Sequence, residues 1–274
     1  MRASLLAVFA HPDDEALRCG GTLARYADRG AAVTVACLTR GEAGKNTDPA
    51  LAVSDMGTQR EGELRQACAL LGISPPVFLD YQDSGRGERL RRTEPLACIN
   101  ADPLETEAKV LDIIHRVRPQ VLLTFDPHGI YGHPDHLVAH RAATGAFSRS
   151  GHGPSSPRRL FYVAQTVPEM RGLQSGRGLG VLGQLDPEVY AVSDGTVAAW
   201  VDVRAYADRK RAALAAHRTQ TGPLSTLGTL SPEQLAPLLR RETFSLGGLR
   251  GPLPAYPLDD LFAGLDVVYG SRAP

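Results

Sequence analysis

The chain has 274 residues, 43% of them hydrophobic, and its 30 basic side chains are balanced by 30 acidic ones. That is enough apolar material for one large domain, or a domain with an extension. A formal net charge of zero gives no electrostatic reason to expect nucleic acid or an anionic membrane as partner. Cys19, Cys37, Cys68 and Cys98 are scattered with no C-x-x-C pair, so neither a zinc knuckle nor a redox dithiol is indicated. Reduced thiols in a cytoplasmic protein are the expectation.

The opening MRASLLAVFA loosely imitates a secretory signal, but the apolar run is short and no A-x-A site follows. No segment approaches the roughly 20 apolar residues of a membrane span. Leu5 to Ala10 therefore reads as a buried strand, and Asp14 to Arg29 as a helix closed by Gly30. Ala32 to Thr39 is β-branched and apolar, a second strand. Thr58 to Leu71 has helical spacing and ends at Gly72. Val77 to Tyr81 is a third strand, Leu104 to Arg118 a helix, Val121 to Phe125 a fourth strand and His133 to Phe147 another helix.

Further on, Ser148 to Arg158 reads as a loop, Leu160 to Gln165 as an added strand, and Arg171 to Gly183 as a glycine-rich mobile loop. Val197 to Val203 reads as a strand and Tyr206 to His217 as a helix, with a tail from Gly247 wrapping the surface. Apolar strands alternating with amphipathic helices predict an α/β fold: a Rossmann-like, doubly wound, mostly parallel sheet with helices on both faces and a C-terminal extension. Residues 1–150 would form the catalytic core. Residues 151–274 would complete the sheet and the substrate pocket, within one integrated domain.

Two clusters stand out. HPDDE, His11 to Glu15, ends the first strand, and FDPHGIYGHPDHLVAH, Phe125 to His140, ends the fourth. In open parallel sheets ligands bind beyond the carboxyl ends of the strands, so the two clusters are expected on one edge. Hydrolytic zinc sites use three His or carboxylate ligands and leave a fourth position for water. His11 and Asp14 can converge on one ion, and His136 would complete the set. Asp13 would stand beside the metal, free to take a proton from water. His133 and His136 are near one helical turn apart and can face the same side, and Asp135 can orient one of these imidazoles.

AHPDDE followed by GHPDH resembles the LmbE-like, or PIG-L, family of zinc-dependent N-acetylglucosaminide deacetylases. TRGEAG, QREGEL, YQDSG and KRAALAAHRTQ match in order. The resemblance implies N-deacetylation of a small N-acetylglucosaminide, releasing acetate, with low-molecular-weight thiol precursors among the family's substrates. It implies His11, Asp14 and His136 as ligands of Zn²⁺, with Fe²⁺, Co²⁺ or Ni²⁺ as alternative ions. Asp13 becomes the general base, and His133, supported by Asp135, a charged or proton-donating partner of the tetrahedral intermediate. Tyr131 would polarise the amide carbonyl, and Glu42, Arg60 and Asp83 would contact the sugar or its aglycone. Arg60 has another reading, pairing with Glu61 or Glu63 on its helix face. The expected partners are the small-molecule glycoside and, at most, further copies of the chain.

Blander readings compete at single positions. Glu15 can be a helix N-terminal charge, His128 and His140 polar surface, His217 a cap or a substrate contact, and Cys19 core. Three other functions fit less well. No G-x-G-x-x-G follows the first strand, as a dinucleotide enzyme would need. A two-metal phosphoesterase needs more ligands than are visible. A binding-only sugar module would be expected to lack Asp13 or a ligand.

Overall fold

β1 (Ser4–Phe9) is buried along its whole length, as a strand flanked on both sides and covered on both faces must be. It pairs in parallel with β2 (Ala32–Cys37) on one side and β4 (Val121–Phe125) on the other. β3 (Val77–Phe78) extends the sheet beyond β2, and β5 (Arg159–Ala164) beyond β4, again in parallel. In the computed structural model, which describes residues 1–174 and 187–270, β6 (Val197–Asp202) and β7 (Arg241–Leu249) complete the other edge. The order is β3-β2-β1-β4-β5-β7-β6, with β7 antiparallel to both neighbours. The expected mostly parallel α/β sheet is present.

Helices cover both faces. α1 (Asp14–Asp28), α2 (Met56–Leu71) and α7 (Ala207–Ala216) pack together on one, and α3 (Pro103–Val117) and α5 (Pro134–Arg149) on the other. Their ends follow local chemistry. Asp55 and Asp102 cap α2 and α3 with their carboxylates, and Gly72 ends α2 in the left-handed conformation. Among the described residues no helix is long and apolar enough to cross a membrane. All four cysteines are free and buried.

Three expectations change. The third strand is shorter than Val77 to Tyr81: Asp80 turns to φ 64 and breaks its regular pairing, although Leu79 and Tyr81 still donate to the Cys37 and Leu38 carbonyls. The mobile loop expected over Arg171 to Gly183 begins instead as the end of a helix, α6 (Val167–Gln174), and its remainder lies outside the described residues. The tail from Gly247 does not simply wrap the surface: Gly247 and Gly248 belong to β7. A Cβ on Gly247 would meet the Tyr162 ring at 2.5 Å, and one on Gly248 the Phe147 ring at 2.5 Å. These glycines admit aromatic rings onto the strand, and only locally do they look like a loop. Beyond β7, Leu258, Leu261 and Phe262 return to the core.

The chain winds one way from β1 through β2 to β3 and the other way from β4 to β5, so the winding reverses between β1 and β4. Leu5 pairs with Val121 and Ala7 with Leu123. Both strands therefore end at the same level, and the crevice beyond them is the switch point where such sheets bind ligands.

Candidate active site

The chain leaves β1 through His11 and enters α1 through Asp13, whose backbone stands at φ 116, ψ −27, a region that side-chain-bearing residues rarely occupy. Glu15 holds this turn, because the Asp13 N–H donates to Glu15 Oε2 at 3.0 Å. The other oxygen, Oε1, accepts from His217 Nε2 at 2.7 Å, and both side chains are fully buried. Burial works against a charged His217, but the Glu15 charge and hydrogen bond outweigh it and raise the imidazole's pKa. His217 does stand at the C-cap of α7, through its backbone N–H, but its side chain is committed to Glu15, and Glu15 is more than a helix-end charge. Breaking a buried ion pair costs about 3–5 kcal/mol because one charge is stranded. His217→Ala should therefore lower denaturant stability by that order while His217→Gln retains much of it; an Ala variant with the parental unfolding midpoint would contradict the pairing.

Beyond β4 the backbone is strained. Ile130, β-branched, stands at φ 65 inside α4 (Gly129–Gly132), a single irregular turn. Asp126 Oδ1 fixes it by accepting the Ile130 N–H at 2.7 Å. Gly129, at φ 59, is required for closeness: a Cβ there would stand 2.9 Å from the Cβ of His136. The Gly129 carbonyl accepts from His136 Nδ1 at 3.0 Å, and Phe125 stacks on the imidazole at 4.0 Å and 6°.

These contacts decide which ring nitrogen does what. With its proton on Nδ1, His136 presents a bare lone pair at Nε2, and this buried atom has no hydrogen-bond partner. Burial pushes the imidazole down to about 4, against the pull of Asp14. Asp14 Oδ1 faces Nε2 at 3.4 Å, and Asp14 Oδ2 faces His11 Nδ1 at 3.5 Å. Metal bonds of about 2.0–2.1 Å in tetrahedral array set donor atoms roughly 3.3–3.4 Å apart. Where His136 Nε2 faces Asp14 Oδ1 at that distance, a lone pair meets a carboxylate oxygen with no hydrogen bond between them, an arrangement that can take a cation, with His11 Nδ1 beside it.

The far side of His11 supports the same conclusion. Its Nε2 lies 3.2 Å from Asp135 Oδ2 and 3.6 Å from Asp83 Oδ1, the carboxylate–imidazole pairing that orients metal-binding histidines. Burial disfavours charge on His11, yet Asp83, Asp135 and Asp14 raise its pKa well above the ordinary value. Positive charge is favoured at this place. For Asp14, burial is likewise overcome by His136 and His11, and its pKa falls.

Two sets bring ligand atoms within 4.8 Å of one another, His11 with His133 and His136, and His11 with Asp83 and Asp135; Asp14, expected as a ligand, is in neither, although its oxygens stand 3.4 and 3.5 Å from His136 and His11. His133 is nevertheless the N-cap of α5, its Nδ1 accepting the Asp135 N–H at 3.2 Å. Its proton then sits on Nε2, a donor and not a ligand. Burial, with His11 and His136 adding, pushes its pKa down to about 2, so the ring is neutral at pH 7. Of the two forms expected from the sequence, charged or proton-donating, this geometry provides the neutral donor. The carboxylate of Asp135 does not support His133: it accepts from Ser84 N–H at 2.9 Å and contacts His11. Only its backbone N–H touches His133.

Asp13 opens onto the cavity with 27% of its side chain exposed, 3.4 Å from Arg60 Nη2. Burial lifts its carboxyl to about 6, with Arg60 opposing and Asp14 adding. Arg60 is buried and donates to the carbonyls of Gly41 and Pro12. It does not pair with Glu61 or Glu63, which bind Arg40 and Arg65, and Thr219, respectively. Asp83 lines the cavity, accepting from Ala43 and Gly85 N–H groups. Glu42 stands behind this wall, where it accepts the Asp83 N–H at 3.1 Å. Tyr131 lines the cavity with its ring edge-on to His136 at 5.2 Å. His140 bonds the Phe125 carbonyl and His128 meets the Tyr190 ring. The cavity measures about 860 Å³, room for a disaccharide-sized ligand.

A doubly wound sheet whose switch point gathers three imidazoles and four carboxylates defines the class: an α/β protein with a buried His and Asp cluster, able to hold a metal ion, beside a ligand cavity. The chain belongs to the PIG-L family, described as GlcNAc-PI de-N-acetylase, whose model matches residues 6–147. It is 39% identical to the 1D-myo-inositol 2-acetamido-2-deoxy-alpha-D-glucopyranoside deacetylase of Rhodococcus opacus, over 95% of this chain and 98% of that protein. Among solved structures, the conserved protein TT1542 of Thermus thermophilus is 25% identical with a TM-score of 0.59, over 92% of this chain and 95% of that one. A 4-carboxy-2-hydroxymuconate hydratase of Pseudomonas putida, 20% identical, reaches a TM-score of 0.61 over 92% of this chain and 99% of that one. The fold alone therefore does not choose the reaction.

Proposed function

We propose that this chain hydrolyses the acetamide of an N-acetylglucosaminide in a metal-dependent reaction, releasing acetate and the free amine. The observation that carries the reading is the unprotonated, unpartnered Nε2 of His136 facing Asp14, beside a carboxylate poised near neutrality on Asp13. His11 through Nδ1, Asp14 and His136 through Nε2 would hold the ion, Zn²⁺ being the first candidate for such a donor set. When bound, Zn²⁺ polarises a carbonyl oxygen and lowers the pKa of water from 15.7 to about 7.

The chain's own residues supply the rest. Asp13 accepts the proton of the attacking water, a role suited to a carboxylate whose pKa lies close to the working pH. Arg60 fixes its position from behind. His133 Nε2–H and the Tyr131 hydroxyl donate to the oxyanion that develops on the amide oxygen. Asp135 and Asp83 orient His11. A proton for the departing amine is available from Asp13 once it has taken one from water.

The inositol glycoside named for the Rhodococcus relative is the first substrate to offer, alongside N-acetylglucosaminides that differ only in aglycone. Acetate release from at least one of them is the expected result. Absence of acetate from the whole set, with metal bound, would refute the reading.

A further inference from the structure

Resting on that reading, one side chain of the cavity remains without a task. Arg18 lies one helical turn after Asp14 on α1, immediately before the helix breaks at Cys19, whose φ is −146. The break is built in. Glu242 on β7 caps the second half of the helix, accepting from Gly21 N–H at 2.9 Å and Thr22 N–H at 2.7 Å. Lys210 pairs with that carboxylate at 2.7 Å. Arg18 is thereby held on the cavity wall, among Leu17, Met170 and Leu238.

Arg18 is partly buried, and its Nε is shielded from solvent with no hydrogen-bond partner. No ion pair or ring contact engages it among the described residues. Nearby acids are committed elsewhere: Asp14 to His11 and His136, Asp126 to the Ile130 N–H, Asp13 to Arg60. Asp83, the remaining acid on the wall, serves His11 and two backbone N–H groups. By contrast the rim carries exposed Lys45, Arg86 and Arg89. A partly desolvated guanidinium beside apolar side chains gains most from an anion, which it binds through paired N–H donors.

We propose that Arg18 is an anion subsite of the active-site cavity, taking a carboxylate of the ligand: an acidic group on the aglycone or the acetate that the reaction releases. As a specificity residue it would discriminate between glucosaminides by charge. The rim cations would draw such ligands in, and Arg18 would hold the acid.

The test uses the purified metal-bound protein and two amines that are not turned over, methyl glucosaminide and carboxymethyl glucosaminide, with binding read by calorimetry. The parent should bind the carboxymethyl compound about tenfold more tightly, a preference that Arg18→Gln loses and Arg18→Lys partly keeps. That result assigns the acid to the aglycone. If the parent binds both amines alike but Arg18→Gln weakens inhibition of turnover by acetate about tenfold, the acid is the product. The subsite is overturned if the preference persists in Arg18→Gln, or if the parent shows no preference and acetate inhibition is unmoved. Acetate release from the N-acetylated forms of the same two glycosides, measured on the parent, separately tests the deacetylase reading, and the binding comparison does not depend on it.

Discussion

Asp13→Asn should lower turnover by about 10²–10⁴-fold while the metal stays bound, because the amide keeps size and polarity but cannot accept a proton. The expectation rests on the geometry around Asp13. Its backbone is pinned by Glu15 and its carboxylate by Arg60, and it is not among the atoms that face one another as donors to the ion. The sign of the pH effect follows. Asp13 acts as a base only when ionised, so kcat/KM rises with pH through its titration. Burial lifts that value to about 6, and a cation beside it would move the acid limb lower. An Asn variant within a few-fold of the parent, metal retained, would make Asp13 a structural residue.

Tyr131→Phe should cost about 10²–10³ in kcat, the usual loss for one oxyanion donor, with metal content and KM nearly unchanged. The phenol is protonated throughout the working range, since burial pushes its pKa up to about 12. Its ring is held edge-on against His136 and lies near the Arg86 guanidinium at 5.8 Å. Phenylalanine keeps both ring contacts, so the substitution isolates the hydroxyl. Gly129 and Gly132, at φ 59 and 80, flank this tyrosine, and the strained Ile130 before it is fixed by Asp126, which argues for a tyrosine held in place. Parental kcat in Tyr131→Phe would reduce its role to packing and leave the oxyanion to His133.

Much of this was legible in the sequence because the informative residues are local. HPDDE and GHPDH each follow a strand, and the strands before them are short apolar runs that read as buried. Parallel pairing of β1 with β4 then brings the two motifs to one crevice. What was not legible depends on partners far along the chain. Glu15 and His217 are separated by 202 positions, and although HPDDE and KRAALAAHRTQ contain them, neither motif shows that the two side chains pair. Asp135 lies two residues from His133, yet its carboxylate serves His11, 124 positions away. Glu42 matches a sugar-contacting position in the family, but here its carboxylate meets the Asp83 N–H. β7 was missed for a different reason. Its glycines give the local pattern of a turn, and only the rings of Tyr162 and Phe147 explain why a strand carries them.

The measurement that bears most directly on the whole account is acetate release from an N-acetylglucosaminide by chelator-treated protein as Zn²⁺ is added back, followed beside metal content per chain. The account predicts loss of activity on chelation and its return at one equivalent of metal, with His136→Ala recovering neither full occupancy nor rate. Undiminished acetate release after the metal is gone, or a requirement for two equivalents, would contradict it.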